Sequence, residues 1–109
     1  MGLVMEQYDI CLVNLDPTIG HEMQKTRPCV IISPDEMNQH IETVIIAPMT
    51  TKAHGYPMRV KLTFQKKSGW IVLDQLRTID KIRIVKKLGR LNAAKIAEVK
   101  QILLEMLVN

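Results

Sequence analysis

The hydrophobic positions of this chain change their spacing once, near residue 91. Before that point, short apolar runs alternate with turn residues, which is typical of β-strands. Asp35–His40, which follows a Ser-Pro pair, is predicted to form one helical turn. Five or six short strands are predicted, over Tyr8–Leu15, Pro28–Ser33, Thr43–Met49, Met58–Phe64, Gly69–Leu73 and part of Ile82–Leu91.

The predicted strands differ in how many of their faces are buried. Pro28–Ser33 is a continuous run rich in β-branched residues, which indicates a strand covered on both faces. In Thr43–Met49, Pro48 lacks an N–H, so we expect the pairing to end there or to reach a sheet edge. Met58–Phe64 alternates between the two faces, with Met58, Val60, Leu62 and Phe64 inward and Arg59, Lys61 and Thr63 outward.

From Asn92, a suitable N-cap, the apolar spacing becomes helical. We expect this terminal helix to pack on the strands and to be available to a partner as well. Short strands followed by one helix predict a mainly β fold, a small and strongly bent barrel with a C-terminal helix, in which residues 1–109 form one domain. The residues of the apolar face are Ile96, Val99, Leu103, Met106 and Leu107, widened by Ile102 and Leu104.

Length and charge change this picture in two ways. A chain of 109 residues buries a modest core, so we expect a dimer. The net charge of +4 is uneven, because residues 1–58 hold three basic and seven acidic residues and residues 59–109 hold twelve and four. The basic half suits a nucleic acid or an acidic protein partner, although it serves solubility equally well.

The chain shows no membrane span and no signal-peptide pattern, so we expect it in the cytoplasm. Cys11 and Cys29 fall inside predicted strands, where they are expected to be reduced core residues. The cysteines and histidines lack metal-ligand spacing. We therefore expect neither a metal nor a cofactor.

The first candidate site is the polar loop that follows the first strand and carries His21, Glu22, Lys25 and Arg27. Arg27 precedes Pro28, which favours an extended backbone, and its guanidinium matches two phosphate oxygens. An ion pair with a carboxylate such as Glu22 is the alternative explanation. A histidine can transfer protons near neutral pH, but a lone loop histidine is more often simply solvated.

Two further candidate sites follow buried strands. Thr50 comes directly after the third predicted strand, where its hydroxyl could bond a phosphate oxygen or merely cap a turn. Asp74, Gln75 and Arg77 follow the strand that ends at Leu73. If that strand continues, Asp74 and Leu76 share one face while Gln75 and Arg77 share the other. An ion pair between Arg77 and Asp80 explains that arginine at least as well as catalysis does.

Together these three segments resemble the MazF/PemK (Kid) family of type II toxin–antitoxin toxins, with family-like order and spacing over residues 6–109. The matching runs are Leu15-Asp16-Pro17-Thr18-Ile19-Gly20-His21-Glu22 with Thr26-Arg27-Pro28, then Ala47-Pro48-Met49-Thr50-Thr51 with Gly55-Tyr56-Pro57, then Asp74-Gln75-Leu76-Arg77-Thr78-Ile79-Asp80.

The resemblance implies an SH3-like barrel shared with CcdB-type toxins, a homodimer and an acidic antitoxin partner. It also implies a sequence-specific ribonuclease that cuts single-stranded RNA without a metal and leaves a 2′,3′-cyclic phosphate and a 5′-hydroxyl. Arg27 and Thr50 would then be the catalytic pair. The supporting or RNA-contacting residues would be His21, Glu22, Lys25, Asp74, Gln75 and Arg77.

The sequence departs from the family pattern at three positions. Tyr8 stands where glycine is common and Cys11 where an aromatic residue is common. Val72 replaces an arginine that some members carry near the aspartate, which makes Arg27 more central. Two other functions suit the same fold, namely a CcdB-like gyrase poison that cuts nothing and a non-enzymatic RNA-binding barrel.

Overall fold

The computed structural model describes residues 4–17, 19–22, 25–52 and 57–108. Within those residues the chain forms seven strands, two α-helices and two short 3-10 helices, which span Leu73–Gln75 and Lys81–Arg83. The main elements are β1 (Asp9–Asn14), β2 (Thr26–Ile31), α1 (Asp35–His40), β3 (Thr43–Thr50), β4 (Arg59–Phe64), β5 (Lys67–Val72), β6 (Arg77–Asp80), β7 (Ile84–Arg90) and α2 (Ala93–Leu107).

All strand pairs are antiparallel, and their order is β4-β5-β3-β2-β1-β7, with β6 paired to the first half of β3. The sheet curls until its outer strands approach each other. Phe64 of β4 lies so close to Gly89 of β7 that an added Cβ on this glycine would be 3.4 Å from the ring. The predicted mainly β fold, a strongly bent sheet followed by a C-terminal helix, is confirmed.

The core consists of two clusters on opposite faces of the sheet. Because side chains alternate along a strand, β1, β2 and β3 contribute to both clusters. Pro28–Ser33 was predicted to be covered on both faces, and its residues Cys29 to Ser33 are all buried. The inner cluster includes Ile10, Val30, Met49, Leu62, Ile71 and Val99. The outer cluster includes Cys11, Val13, Cys29, Ile46 and Ile79.

Helix α2 begins where the sequence predicts, because the side chain of Asn92 accepts a hydrogen bond from the backbone N–H of Lys95 at 2.9 Å. Its predicted apolar face is only partly covered. Val99 is fully buried, whereas Leu104 and Leu107 are 43% and 65% exposed. No helix of the described residues is long and apolar enough to cross a membrane.

The prediction for Pro48 is confirmed on one edge of β3 and wrong on the other. Strand β3 runs past it to Thr50, and Pro48 faces Cys29 of β2. On its other edge, β3 pairs with β6 up to Ile46 and with β5 from Met49. Pro48 lies between these two partners, so its missing N–H falls where that ladder is interrupted.

The strand predicted to end at Leu73 does not continue beyond it, because β5 ends at Val72. Residues Leu73–Gln75 form a 3-10 helix in which the N–H of Leu76 bonds the Leu73 carbonyl at 3.3 Å. The chain then enters β6, a strand that the sequence analysis missed. The alternation predicted for residues 74 to 77 therefore does not exist.

Tyr8 occupies a position that favours glycine. Its φ is +71°, in the left-handed region that costs a side-chain-bearing residue roughly 1–2 kcal/mol. The ring packs into the inner cluster, and this burial raises the pKa of Tyr8. A glycine would adopt this backbone conformation without that cost.

Cys11 and Cys29 are free, fully buried and opposite each other on β1 and β2. Their prediction as core residues is confirmed. Burial raises the pKa of Cys11 to about 11 and that of Cys29 to about 12.

Candidate active site

A cavity of about 580 Å³ opens where the end of β3 meets the start of β2 and β5 and the facing parts of β4 and β7. We call it the cationic cavity, because among the described residues that line it four are basic and none is acidic. Those four are Arg27, Lys52, Lys67 and Lys86. Such a lining attracts a polyanion.

The cationic cavity joins the two residues predicted to form the catalytic pair. Cys29 of β2 faces Pro48 of β3, and continuing this antiparallel register by two residues brings Arg27 beside Thr50. Arg27 Nη1 donates to the Met49 carbonyl at 3.4 Å. Thr50 Oγ1 accepts from the Lys52 N–H at 3.2 Å and keeps its own proton for an incoming oxygen.

Gly69 fixes the position of Thr50 from the other side. Strand β5 approaches β3 so closely that a Cβ on Gly69 would lie 2.7 Å from the Thr50 carbonyl oxygen. A contact this short cannot form without moving one of the two strands. No role was predicted for this glycine from the sequence, because its close approach to Thr50 depends on a strand partner nineteen positions away.

A second cavity of about 610 Å³ gathers five of the predicted supporting residues. We call it the mixed cavity, because carboxylates and cations both line it. Its predicted members are His21, Glu22, Asp74, Gln75 and Arg77, and Pro48 and Leu76 complete the lining. His21 and Glu22 therefore lie at the mixed cavity and do not line the cavity of Arg27 and Thr50.

Asp74 is held by Arg59, a residue that the sequence analysis missed and placed on an outward face. Arg59 Nε and Nη2 donate to the two Asp74 carboxylate oxygens at 2.9 and 3.1 Å. These bonds hold the pKa of Asp74 below its usual range, and the Arg59 side chain is only 12% exposed. Arg59 faces Val72 across the β4–β5 pair.

Arg77 and Lys25 have structural contacts of their own. Arg77 Nη1 donates to the Leu15 carbonyl at 3.4 Å, while Asp80 accepts from the Ile82 N–H at 3.0 Å. The Arg77–Asp80 ion pair considered above is not among the ion pairs of the described residues. Lys25 lines neither cavity, and its N–H bonds the Asp16 carboxylate at 2.8 Å.

The remaining sequence-based expectations concern metal ligands and the segment around Tyr56. Within the described residues, no three His, Cys, Asp or Glu side chains cluster as metal ligands would. Of the family-like segment Gly55-Tyr56-Pro57, the first two residues lie outside the described part of the chain.

The sequence and the fold of this chain are similar to those of known proteins. Residues 6–107 match the family model of the PemK-like, MazF-like toxin of type II toxin–antitoxin systems. The chain is 37% identical over 92 residues to the endoribonuclease PemK of Escherichia coli, an alignment covering 79% of this chain and 69% of the relative.

Two solved structures from Deinococcus radiodurans share the fold. MazF alone superposes with a TM-score of 0.85 at 30% identity, covering 96% of this chain and 97% of the other. A chain of the MazE–MazF structure gives a TM-score of 0.79 at 30% identity and covers 96% of each chain.

Proposed function

This chain belongs to the PemK-like, MazF-like family of type II toxins, and on that premise we propose that it is an endoribonuclease cleaving single-stranded RNA. The observation that carries the proposal is the cationic cavity, in which Arg27 and Thr50 lie side by side without a lining carboxylate among the described residues. The curated relative from Escherichia coli carries the name endoribonuclease, which supports the same activity.

In the proposed reaction, RNA supplies its own nucleophile. The 2′-hydroxyl oxygen attacks the adjacent phosphorus, the bond from phosphorus to the 5′-oxygen of the next nucleotide breaks, and the 2′-hydroxyl proton is balanced by one gained at the leaving oxygen. The products are a 2′,3′-cyclic phosphate and a 5′-hydroxyl. The protein must align these atoms and stabilise the charge that builds on the non-bridging oxygens.

Arg27 and Thr50 are suited to that stabilisation. The guanidinium fork of Arg27 binds two non-bridging oxygens, and the Thr50 hydroxyl donates one further hydrogen bond. Arginine holds its proton too tightly to act as an acid, so we assign it an electrostatic role. Lys52, Lys67 and Lys86 bind flanking phosphates at the rim of the same cavity.

The mixed cavity would hold the nucleotide beside the cut. Single-stranded RNA is recognised by splayed bases whose edges form hydrogen bonds, and Gln75 and Asp74 offer such groups. Because Arg59 keeps Asp74 ionised, that carboxylate accepts hydrogen bonds and is not the acid. We assign the proton movements to His21 or Glu22, which the RNA would reach by extending from the cationic cavity into the mixed one.

We further propose that the chain acts as a homodimer in the cytoplasm and is neutralised by an acidic antitoxin. The MazE–MazF structure supports a protein partner for this fold. The excess of basic over acidic residues in residues 59–109 favours an acidic one. The reduced, buried pair Cys11 and Cys29 suits a reducing compartment.

The test is cleavage of a long single-stranded RNA in excess EDTA, followed by sequencing of the new 5′ ends. We expect cuts within one short recurring sequence, and the new 5′ ends should accept phosphate from a kinase directly. Strict dependence on added magnesium would contradict the proposed chemistry. RNA binding without products would favour the non-enzymatic barrel, and inhibition of gyrase without RNA cleavage would favour the CcdB-like alternative.

A further inference from the structure

We propose that Trp70 is a specificity-determining residue on which the base next to the scissile phosphate stacks, with Lys61 binding the following phosphate. This inference rests on the proposed ribonuclease function and assigns a nucleotide subsite to the cationic cavity. It comes from three observations, namely the strand register around Trp70, the exposure of its ring and the charge around it.

The register places Trp70 in a row of chemically distinct side chains. Thr50 of β3 faces Trp70 of β5, and Trp70 faces Lys61 of β4. Residues that face each other in an antiparallel pair project from the same side of the sheet, with strands about 5 Å apart. The hydroxyl, the indole and the ammonium therefore lie on one face, and Arg27 continues the row beyond Thr50.

This row lies on the side of the sheet away from the inner cluster. Ile71, the next residue of β5, is fully buried in that cluster, so Trp70 points to the opposite face. Trp70 is half-buried and is one of the residues that line the cationic cavity, together with Thr50 and Arg27 of the same row. An indole so placed offers a π-face to a ligand that enters the cavity.

The charge around the ring selects a nucleic acid as that ligand. Lys61 Nζ lies 5.9 Å from the centroid of the Trp70 ring, at the outer limit of a cation–π contact, and remains exposed to bind an anion. Cationic grooves with an aromatic platform are the usual means of binding single-stranded nucleic acid. One strand spacing between Thr50 and Trp70 is within the reach of one nucleotide.

Trp70 is the only tryptophan of the chain, so tryptophan fluorescence, excited where the two tyrosines do not absorb, reports on this position alone. The probe is a single-stranded 2′-O-methyl RNA that carries the cleavage sequence found by 5′-end sequencing, and it binds without being cut. We expect saturable quenching. The same oligomer with an abasic site beside the cut should bind, as measured by anisotropy, without quenching. Equal quenching by both oligomers, or binding without quenching, would overturn the proposal.

Substitution gives an independent test. Trp70→Ala should raise KM about 10- to 100-fold, the range set by the loss of one base–aromatic stack, and leave kcat nearly unchanged. It should also relax the base preference at one position beside the cut. Trp70→Phe should restore both properties, and Lys61→Ala should lower the salt dependence of KM by about one unit of slope. A Trp70→Ala protein with unchanged KM and base preference would refute the assignment.

Two results would place the ring elsewhere. If Trp70→Ala shifts the sedimentation of the protein from dimer to monomer, the ring is a subunit contact and the proposal fails. If an antitoxin peptide quenches Trp70 and the RNA probe does not, the ring binds protein. A wild-type chain that cleaves no RNA would refute the proposed function, whereas the failure of Trp70 alone would leave wild-type cleavage intact.

Discussion

The two cavities described above have nearly the same volume, about 580 and 610 Å³, but the residues that line them differ in charge. The described lining of the cationic cavity holds four basic residues and no carboxylate, whereas the mixed cavity is lined by the carboxylates of Glu22 and Asp74, the guanidinium of Arg77 and the imidazole of His21. Size therefore does not distinguish them. The difference in charge suggests that the first cavity holds the phosphodiester and the second holds groups that carry little or no charge.

The end of β3 separates the two environments. Pro48 lines the mixed cavity, whereas Met49 and Thr50 line the cationic one. A nucleotide chain that crosses this strand end would place its phosphate on one side and a base on the other. Substitutions in each cavity test whether the cationic cavity holds the phosphate and the mixed cavity holds a base.

The largest effect is expected for Arg27→Ala, which should lower kcat about 100- to 1000-fold because it removes a preorganised donor from the developing charge. Arg27→Lys keeps the charge without the fork and should recover part of the loss. Single-turnover cleavage of a short RNA measures both. Lys100→Ala, which removes an exposed cation that lines neither cavity, is the control, and an Arg27→Ala protein with more than a tenth of wild-type activity would refute the role.

A smaller but still large effect is expected for Gly69→Ala. The added Cβ would meet the Thr50 carbonyl at 2.7 Å, so β5 or Thr50 must move. We expect the free energy of unfolding to fall by about 1–3 kcal/mol and cleavage to fall with it. Gly89→Ala is the matched control, since its Cβ would come no closer than 3.4 Å to the Phe64 ring. Equal effects of the two substitutions would refute a special role for the approach of β5 to β3.

In the mixed cavity, Asp74→Asn should lower activity less than Arg27→Ala and should change the pH dependence of stability. The folded pKa of Asp74 is lowered, first by the Arg59 hydrogen bonds, so the ion pair stabilises the fold above about pH 3.9, the ordinary carboxyl value. This stabilisation is lost as the pH falls through the lowered pKa.

Urea unfolding of the wild type and of Asp74→Asn at several pH values measures that linkage. The difference in free energy of unfolding should be constant from about pH 8 to about pH 5 and should shrink below about pH 3.9. A difference that grows at acid pH would contradict the pairing with Arg59.

The smallest effect is expected for alkylation of the two buried thiols, Cys11 and Cys29, in the folded protein. Cys29 lies two residues after Arg27, is fully buried and has a pKa raised to about 12. We expect neither Cys29 nor Cys11 to react with iodoacetamide at neutral pH in the folded protein, and both to react in urea. Alkylation of Cys29 in the native state, detected by mass spectrometry, would show that the outer cluster opens.

Local patterns predicted most of the elements. The helical spacing after Asn92 predicted α2 and its cap, and apolar runs predicted β1, β2 and β3 nearly to their ends. Strand β6 was missed because only four residues form it and they follow a 3-10 helix, which has no hydrophobic period.

Prediction of the candidate site from local sequence patterns has the same limit. Arg27 and Thr50 could be paired from the family-like segments that carry them, and the structure places them in one cavity. Arg59, Gly69 and Trp70 were not recognised, since their contacts with Asp74, Thr50 and Lys61 join parts of the chain that lie apart in the sequence. Register depends on long-range pairing that the spacing within one strand does not encode. His21 and Glu22 line a different cavity from Arg27, and this separation also depends on long-range pairing that the sequence spacing does not encode.

The most direct test of the central claim uses an RNA in which the single ribose on the 5′ side of the cut is replaced by 2′-deoxyribose. If the 2′-hydroxyl is the nucleophile held against Arg27 and Thr50, the wild-type protein should bind this oligomer with normal affinity and leave it uncut at that position. Cleavage of the deoxy position at the rate of the all-ribose oligomer would contradict the account, because the attacking group would then come from outside the RNA.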